Sequence, residues 1–201
     1  MTRSVEFFFD FGSPASYLAY TQLPRIATQC AASIVWRPML LGGVFKAAGH
    51  ASPAAVPAKG RWMFGDLNRW AQRYGVAFTH NPHFPVNTLT LMRIATGVQM
   101  RQPQDFERCC DALFGAMWRE PRNLGEATEL AQVLAQAGFD ADATLALASL
   151  ADVKARLIAT TEEAVARGVF GAPSFFVGEQ LFFGQDRLDF VREALAEPVP
   201  R

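Results

Sequence analysis

The chain has 201 residues, half of them hydrophobic, and its 19 lysines and arginines offset 19 aspartates and glutamates. That length and apolar content suit one domain with room for a large insertion, and are short for two independent domains. A net charge of zero supplies no global field to recruit nucleic acid or an anionic membrane, so the expected partner is a small molecule.

Glu6 and Asp10 interrupt the only early apolar run, which argues against a secretory signal. No uninterrupted apolar stretch reaches the roughly 20 residues of a membrane helix. Cys30, Cys109 and Cys110 are too few and too oddly spaced for a disulfide scaffold or a zinc site. A protein of the reducing cytoplasm, with no metal, is the expectation.

In chain order, Val5 to Phe11 (VEFFFDF) is short, aromatic and β-branched, which predicts a buried strand ending at Gly12. Ser13-Pro14 is a helix-start signal: a serine caps free amides, and proline at the first helical position loses no needed hydrogen bond. The helix runs through Tyr17, Leu18 and Ile26, and Pro24 is expected to bend or break it. Ser33 to Arg37 (SIVWR) predicts a second strand stopped at Pro38, so the first forty residues form a parallel βαβ unit.

From about Leu41 to Arg167 the pattern is helical, joined by Gly and Pro. Phe106, Cys109, Cys110, Leu113, Phe114, Met117 and Trp118 share one face, and Leu130, Val133 and Leu134 repeat the spacing before Gly138. Asp152 opens another helix that Gly168 closes. Ser174 to Val177 and Leu181 to Phe183 make a hairpin around Gly178-Glu179-Gln180, and Asp186 to Leu195 a last helix.

A strand that turns sharply into a helix N-terminus creates an anion site, because the first amides are unpaired and the dipole presents its positive end. Ser13 stands there. Redox proteins of thioredoxin type carry the first cysteine of a CxxC pair at this place. Ser13-Pro14-Ala15-Ser16 makes disulfide exchange here chemically impossible. His50, His80 and His83 are distant in sequence, so donation of a hydrogen bond to an external thiolate is a simpler role for Ser13 than nucleophilic attack. A plain helix cap is the competing account of the Ser-Pro pair alone. The second signal is VFGAPSFFV, residues 169 to 177, where Pro173 precedes a predicted internal strand; most such bonds are trans.

The ordered set FFFDFGSPASYLAY, VPAKGRW, HFPVNTL, ARGVFGAPSFFV and FGQDR resembles 2-hydroxychromene-2-carboxylate isomerases and the related kappa-class glutathione transferases over nearly the whole chain. The resemblance implies an α/β, thioredoxin-like fold of DsbA/kappa type with a large all-helical insertion. Residues 1–40 and 168–201 would form the thioredoxin-like domain, 41–151 the helical insertion, and a helix at about 152–167 the connection. It implies glutathione as cofactor, a small aromatic substrate and a homodimer.

By the same resemblance Ser13 activates the glutathione sulfur, and Ala172 and Pro173 bind the tripeptide backbone by antiparallel pairing. In fold relatives a cis-proline at this place faces the active helix. Gln185 and Asp186 hold the γ-glutamyl end, where a carboxylate suits the ammonium. Lys59 falls on the pattern for a carboxylate contact and Trp62 on that for a pocket wall; taken alone, they are a solvated charge and a core aromatic. The family commonly has asparagine where this chain has His50, which bears on substrate range. Asn87 is either a cap of the next helix or a substrate contact. Trp62, Phe64, Trp70 and Phe84 are ordinary core or the lining of an aromatic pocket, and Cys109 and Cys110 are core.

The function implied is glutathione-dependent interconversion of 2-hydroxychromene-2-carboxylate and trans-o-hydroxybenzylidenepyruvate, a step in bacterial naphthalene-type degradation. A kappa-like transferase shares the site but consumes glutathione. A thiol-disulfide oxidoreductase is disfavoured by the missing cysteines, and a peptide-binding module without turnover is the remaining alternative.

Overall fold

The strand Ser4–Phe9 (β1) sends alternate side chains into two apolar layers, with Phe7 and Phe9 in one and Phe8 in the other. This computed structural model describes residues 3–196; residues 1–2 and 197–201, the outer ends of the expected thioredoxin-like segments, lie outside the described residues. Helix α1 (Pro14–Gln29) follows, then strand β2 (Ser33–Pro38), parallel to β1 with Phe7 opposite Trp36. The βαβ unit is as its periodicity predicts.

Pro24 does not break α1, which runs continuously across it. A proline removes one helical N–H and leaves the rest of the ladder, and Leu23 and Ile26 on either side are buried. Packing outweighs the local penalty.

The chain then builds helices only: α2 (Leu41–Ala47), α3 (Pro57–Tyr74), α4 (Leu89–Arg101), α5 (Phe106–Trp118), α6 (Ala127–Gln136), α7 (Ala141–Leu147) and α8 (Ala151–Ala166). Strands β3 (Ser174–Val177) and β4 (Gln180–Phe183) and helix α9 (Leu188–Ala196) complete the order. The hairpin turn is shorter than the sequence predicts. Gln180 already pairs with Val177, and Gly178 at φ +58° supplies the left-handed residue that a two-residue turn requires.

The four strands lie in the order β2-β1-β3-β4, with β3 antiparallel to both neighbours. Phe7 opposes Phe175 and the rings stack 5.2 Å apart. Residues of α1 and α9, among them Leu18, Leu23, Val191 and Leu195, share the layer of Phe7, Phe9 and Phe175. Val44 of α2 and Ala164 of α8 share that of Phe8 and Phe176. The chain thus has the thioredoxin-like α/β architecture with a helical insertion. Cys109 and Cys110 are fully buried in the main core. Among the described residues no helix is long and apolar enough to cross a membrane.

Candidate active site

Ser13 caps α1 in extended conformation, and its Oγ accepts the Ser16 amide at 3.1 Å. Capping is only half of its bonding. The same hydroxyl donates to the carbonyl oxygen of Ala172 at 2.9 Å, joining the helix start to the segment before β3. The Ala172-Pro173 bond is cis, as is Phe84-Pro85. Among the described residues nothing accepts from the Ala172 N–H.

Around this pair lies a largely apolar cavity of about 460 Å3, within the ordinary range for small-molecule sites. Ser13, His50, Trp62, Ala172, Pro173, Gln185 and Asp186 all border it, so seven of the sequence-predicted site residues come together. Lys59 and Asn87 do not. Lys59 is exposed in the first turn of α3, outside the lining. Asn87 is exposed and its Oδ1 accepts the Leu89 amide at the start of α4, so the capping role describes its contacts and the pocket role does not. Trp62 is 66% exposed at the cavity edge, a wall residue rather than a core aromatic.

The polar groups of the lining are arranged in two places. Gly184, at φ +100°, donates its amide to the Pro173 carbonyl at 3.0 Å, and its backbone turn presents Gln185 and Asp186 to the cavity. Tyr74 Oη donates to the Gln185 carbonyl at 2.7 Å, and burial pushes the Tyr74 phenol up to about 12, so it remains a donor. Asp66 and Asp186 are the carboxylates of the lining, which has no lysine or arginine. Elsewhere on the lining, His50 places Nε2 2.8 Å from the Phe170 carbonyl and Nδ1 3.2 Å from the Ala51 carbonyl, and the ring lies 4.8 Å from Phe45.

Asp10 is the residue the sequence reading passed over. It is buried directly after β1; Oδ1 accepts the Gly12 amide and Oδ2 the Leu41 amide, each at 2.8 Å, and the Thr88 side chain adds a third bond. Burial holds its carboxyl above the ordinary value, and the three bonds offset this only in part. A lone carboxylate in the aromatic run FFFDF, placed just before the Gly12-Ser13 turn, was the available signal. Among the described residues no group of three or more His, Cys, Asp and Glu could hold a metal ion.

The family model for the DSBA-like thioredoxin domain matches residues 4–196. The chain belongs to the DSBA-like thioredoxin family. Within it, the chain is 33% identical to 2-hydroxychromene-2-carboxylate isomerase of Sphingobium xenophagum, over 98% of this chain and 100% of that protein. It is 29% identical to glutathione S-transferase kappa 1 of Rattus norvegicus, over 98% and 95% of the two chains. A solved 2-hydroxychromene-2-carboxylate isomerase superposes with a TM-score of 0.84 at 29% identity, covering 96% of this chain and 94% of that one. The chain is thus related over nearly its whole length to isomerases and kappa-class transferases, and Ser13-Pro14-Ala15-Ser16 at the start of α1 contains no cysteine.

Proposed function

We propose that the chain is a glutathione-dependent isomerase that interconverts 2-hydroxychromene-2-carboxylate and trans-o-hydroxybenzylidenepyruvate in the breakdown of naphthalene-type aromatics, acting as a cytoplasmic homodimer. The observation that carries the reading is Ser13 Oγ, held at the N-terminus of a sixteen-residue helix and bonded to the Ala172 carbonyl at the border of a largely apolar cavity whose lining contains no cysteine. Glutathione would supply a nucleophilic sulfur that adds reversibly to a conjugated carbon, so that a double bond becomes free to rotate and is then restored.

The residues present fit that group at three points. Ala172 offers an N–H without a partner among the described residues and a carbonyl, the pair an extended peptide needs. Asp66 and Asp186 suit an ammonium. Ser13 has one proton, which in this structure goes to Ala172. Turning it toward the sulfur stabilises negative charge there, with the positive end of α1 behind it, and frees the Ala172 carbonyl to accept an amide. Lys59, outside the lining, would reach a carboxylate only at the mouth. Residues of the expected insertion, among them Phe45, His50, Trp62 and Phe84, line the cavity together with Pro173.

A kappa-like transferase is the second reading, favoured by the kappa-class relative that matches nearly the whole chain. One experiment separates the two. The ultraviolet spectrum of 2-hydroxychromene-2-carboxylate is followed with and without glutathione, for wild type and Ser13→Ala. Equilibration that requires glutathione without consuming it, and that slows about a hundredfold in the variant, is the expected result. Steady consumption of glutathione moves the assignment to the transferase, and an unchanged rate in Ser13→Ala sinks both.

A further inference from the structure

Helices α2, α4 and α8 border an apolar groove of about 400 Å3 that shares no lining residue with the Ser13 cavity. Its long wall is α8. The lining follows that helix from Lys154 to Ala166, about 18 Å at the usual rise per residue. Leu40, Leu89, Leu157, Ile158 and Val165 supply apolar surface, and Ile158 is 56% exposed. The α2 wall is held in place: the Leu40 amide donates to Thr161 Oγ1 at 3.0 Å, and a Cβ on Gly43 would come within 3.2 Å of Thr161 Cγ2, closer than ordinary packing.

Two cations border this space. Arg93 of α4 and Lys154 of α8 are half-buried, and among the described residues neither makes an ion pair or a side-chain hydrogen bond. Other cations on or beside the same helices are paired, Arg101 with Asp152 and Arg167 with Glu6 at 2.8 Å. The one carboxylate of the lining, Glu162, is exposed and stands about 12 Å beyond Lys154 along the helix. A charge partly withdrawn from water gains more from a counter-ion than a fully solvated one does. Apolar surface bordered by such cations fits an amphipathic anion.

We propose that this groove binds a single-chain aliphatic carboxylate, with its acyl chain along α8 over Ile158 and its carboxylate drawn to Arg93 and Lys154. The length of the wall suits an extended chain, and the lining contains no aromatic ring on which a flat ligand would stack. Two cations against one carboxylate select a monoanion over a neutral lipid. The binding is independent of what the Ser13 cavity holds.

Calorimetry with decanoate and the uncharged decanol tests this on wild type, on Ile158→Glu and on the double variant Arg93→Gln/Lys154→Gln, each with and without glutathione. Ile158 is exposed and the two cations lie outside the fully buried core, so the replacements spare it. Wild type is expected to bind decanoate about tenfold tighter than decanol, the size of one charge-assisted bond. The double variant should lose that preference, Ile158→Glu should weaken both ligands, and glutathione should change neither affinity. Equal affinities of wild type for decanoate and decanol, or of wild type and Ile158→Glu for decanoate, overturn the proposal. Competition by glutathione overturns it too, because the chain then sits in the Ser13 cavity. A wild-type dimer that Ile158→Glu splits in sedimentation, with no decanoate bound, gives the face to a second copy instead.

Discussion

Asp10 Oδ2 accepts the Leu41 amide at 2.8 Å, so the residue that follows β1 also fixes the first residue of α2. Its other oxygen holds the Gly12 amide next to Ser13. One carboxylate therefore sets the spacing between the serine and the helix that carries Phe45 toward His50.

The pH dependence of that anchor has a definite sign. Burial raises the folded carboxyl above the ordinary 3.8, so across the window above 3.8 the native state binds more protons than the unfolded chain. Its contribution to stability is greatest below the unfolded value and falls as pH rises through the folded one. Asn at this position cannot titrate and turns one acceptor into a donor facing an amide, at a cost of about 1–3 kcal/mol. Urea melts of wild type and Asp10→Asn between pH 4 and 7, values set by that window, should show the stability difference between them narrowing as pH rises. A difference that widens with pH contradicts the assignment.

Trp118 is fully buried, and its Nε1 donates to the Phe11 carbonyl at 2.7 Å, two residues before Ser13. Trp118→Phe keeps an aromatic ring but leaves that carbonyl without a donor in a dry site. A loss of about 1–3 kcal/mol in chemical denaturation is expected, together with a weaker Ser13-dependent activity, because Phe11 leads into the turn. A loss of stability with fully retained activity would separate the two roles.

Cys30 is half-buried, whereas Cys109 and Cys110 lie in the core; burial pushes the Cys109 thiol up to about 12 and that of Cys110 well above its usual value. The thiolate is the reactive form, so a disulfide reagent at pH 8 should titrate one thiol of the native protein and all three after unfolding. Rapid labelling of two or more thiols in the native state would show that the α5 face opens.

The strands, the helical middle and the hairpin were legible because Phe7, Phe8 and Phe9 alternate between layers, and Leu113, Phe114 and Met117 keep helical spacing. Pro24 misled, because burial of its neighbours overrides a local rule. Ser13 was visible through Pro14, but its bond to Ala172 was not, since no local pattern specifies a partner 159 residues away. Lys59 and Asn87 show the reverse: each fits a linear motif, and neither borders the cavity. Asp10 was hidden because a carboxylate in an aromatic run gives no hint of which amides it will meet.

Strand β1 lies inside the sheet, and its inner neighbour β3 begins only at Ser174. During synthesis the three phenylalanines of β1, and Ser13 beyond them, leave the ribosome long before β3 does, and that edge stays uncovered until β3 follows. Such late, long-range closure is slow and leaves an exposed strand edge in the meantime. A prematurely terminated product would contain Ser13 but no pocket, and it would be a sticky fragment suited to aggregation or chaperone capture rather than a partly active enzyme.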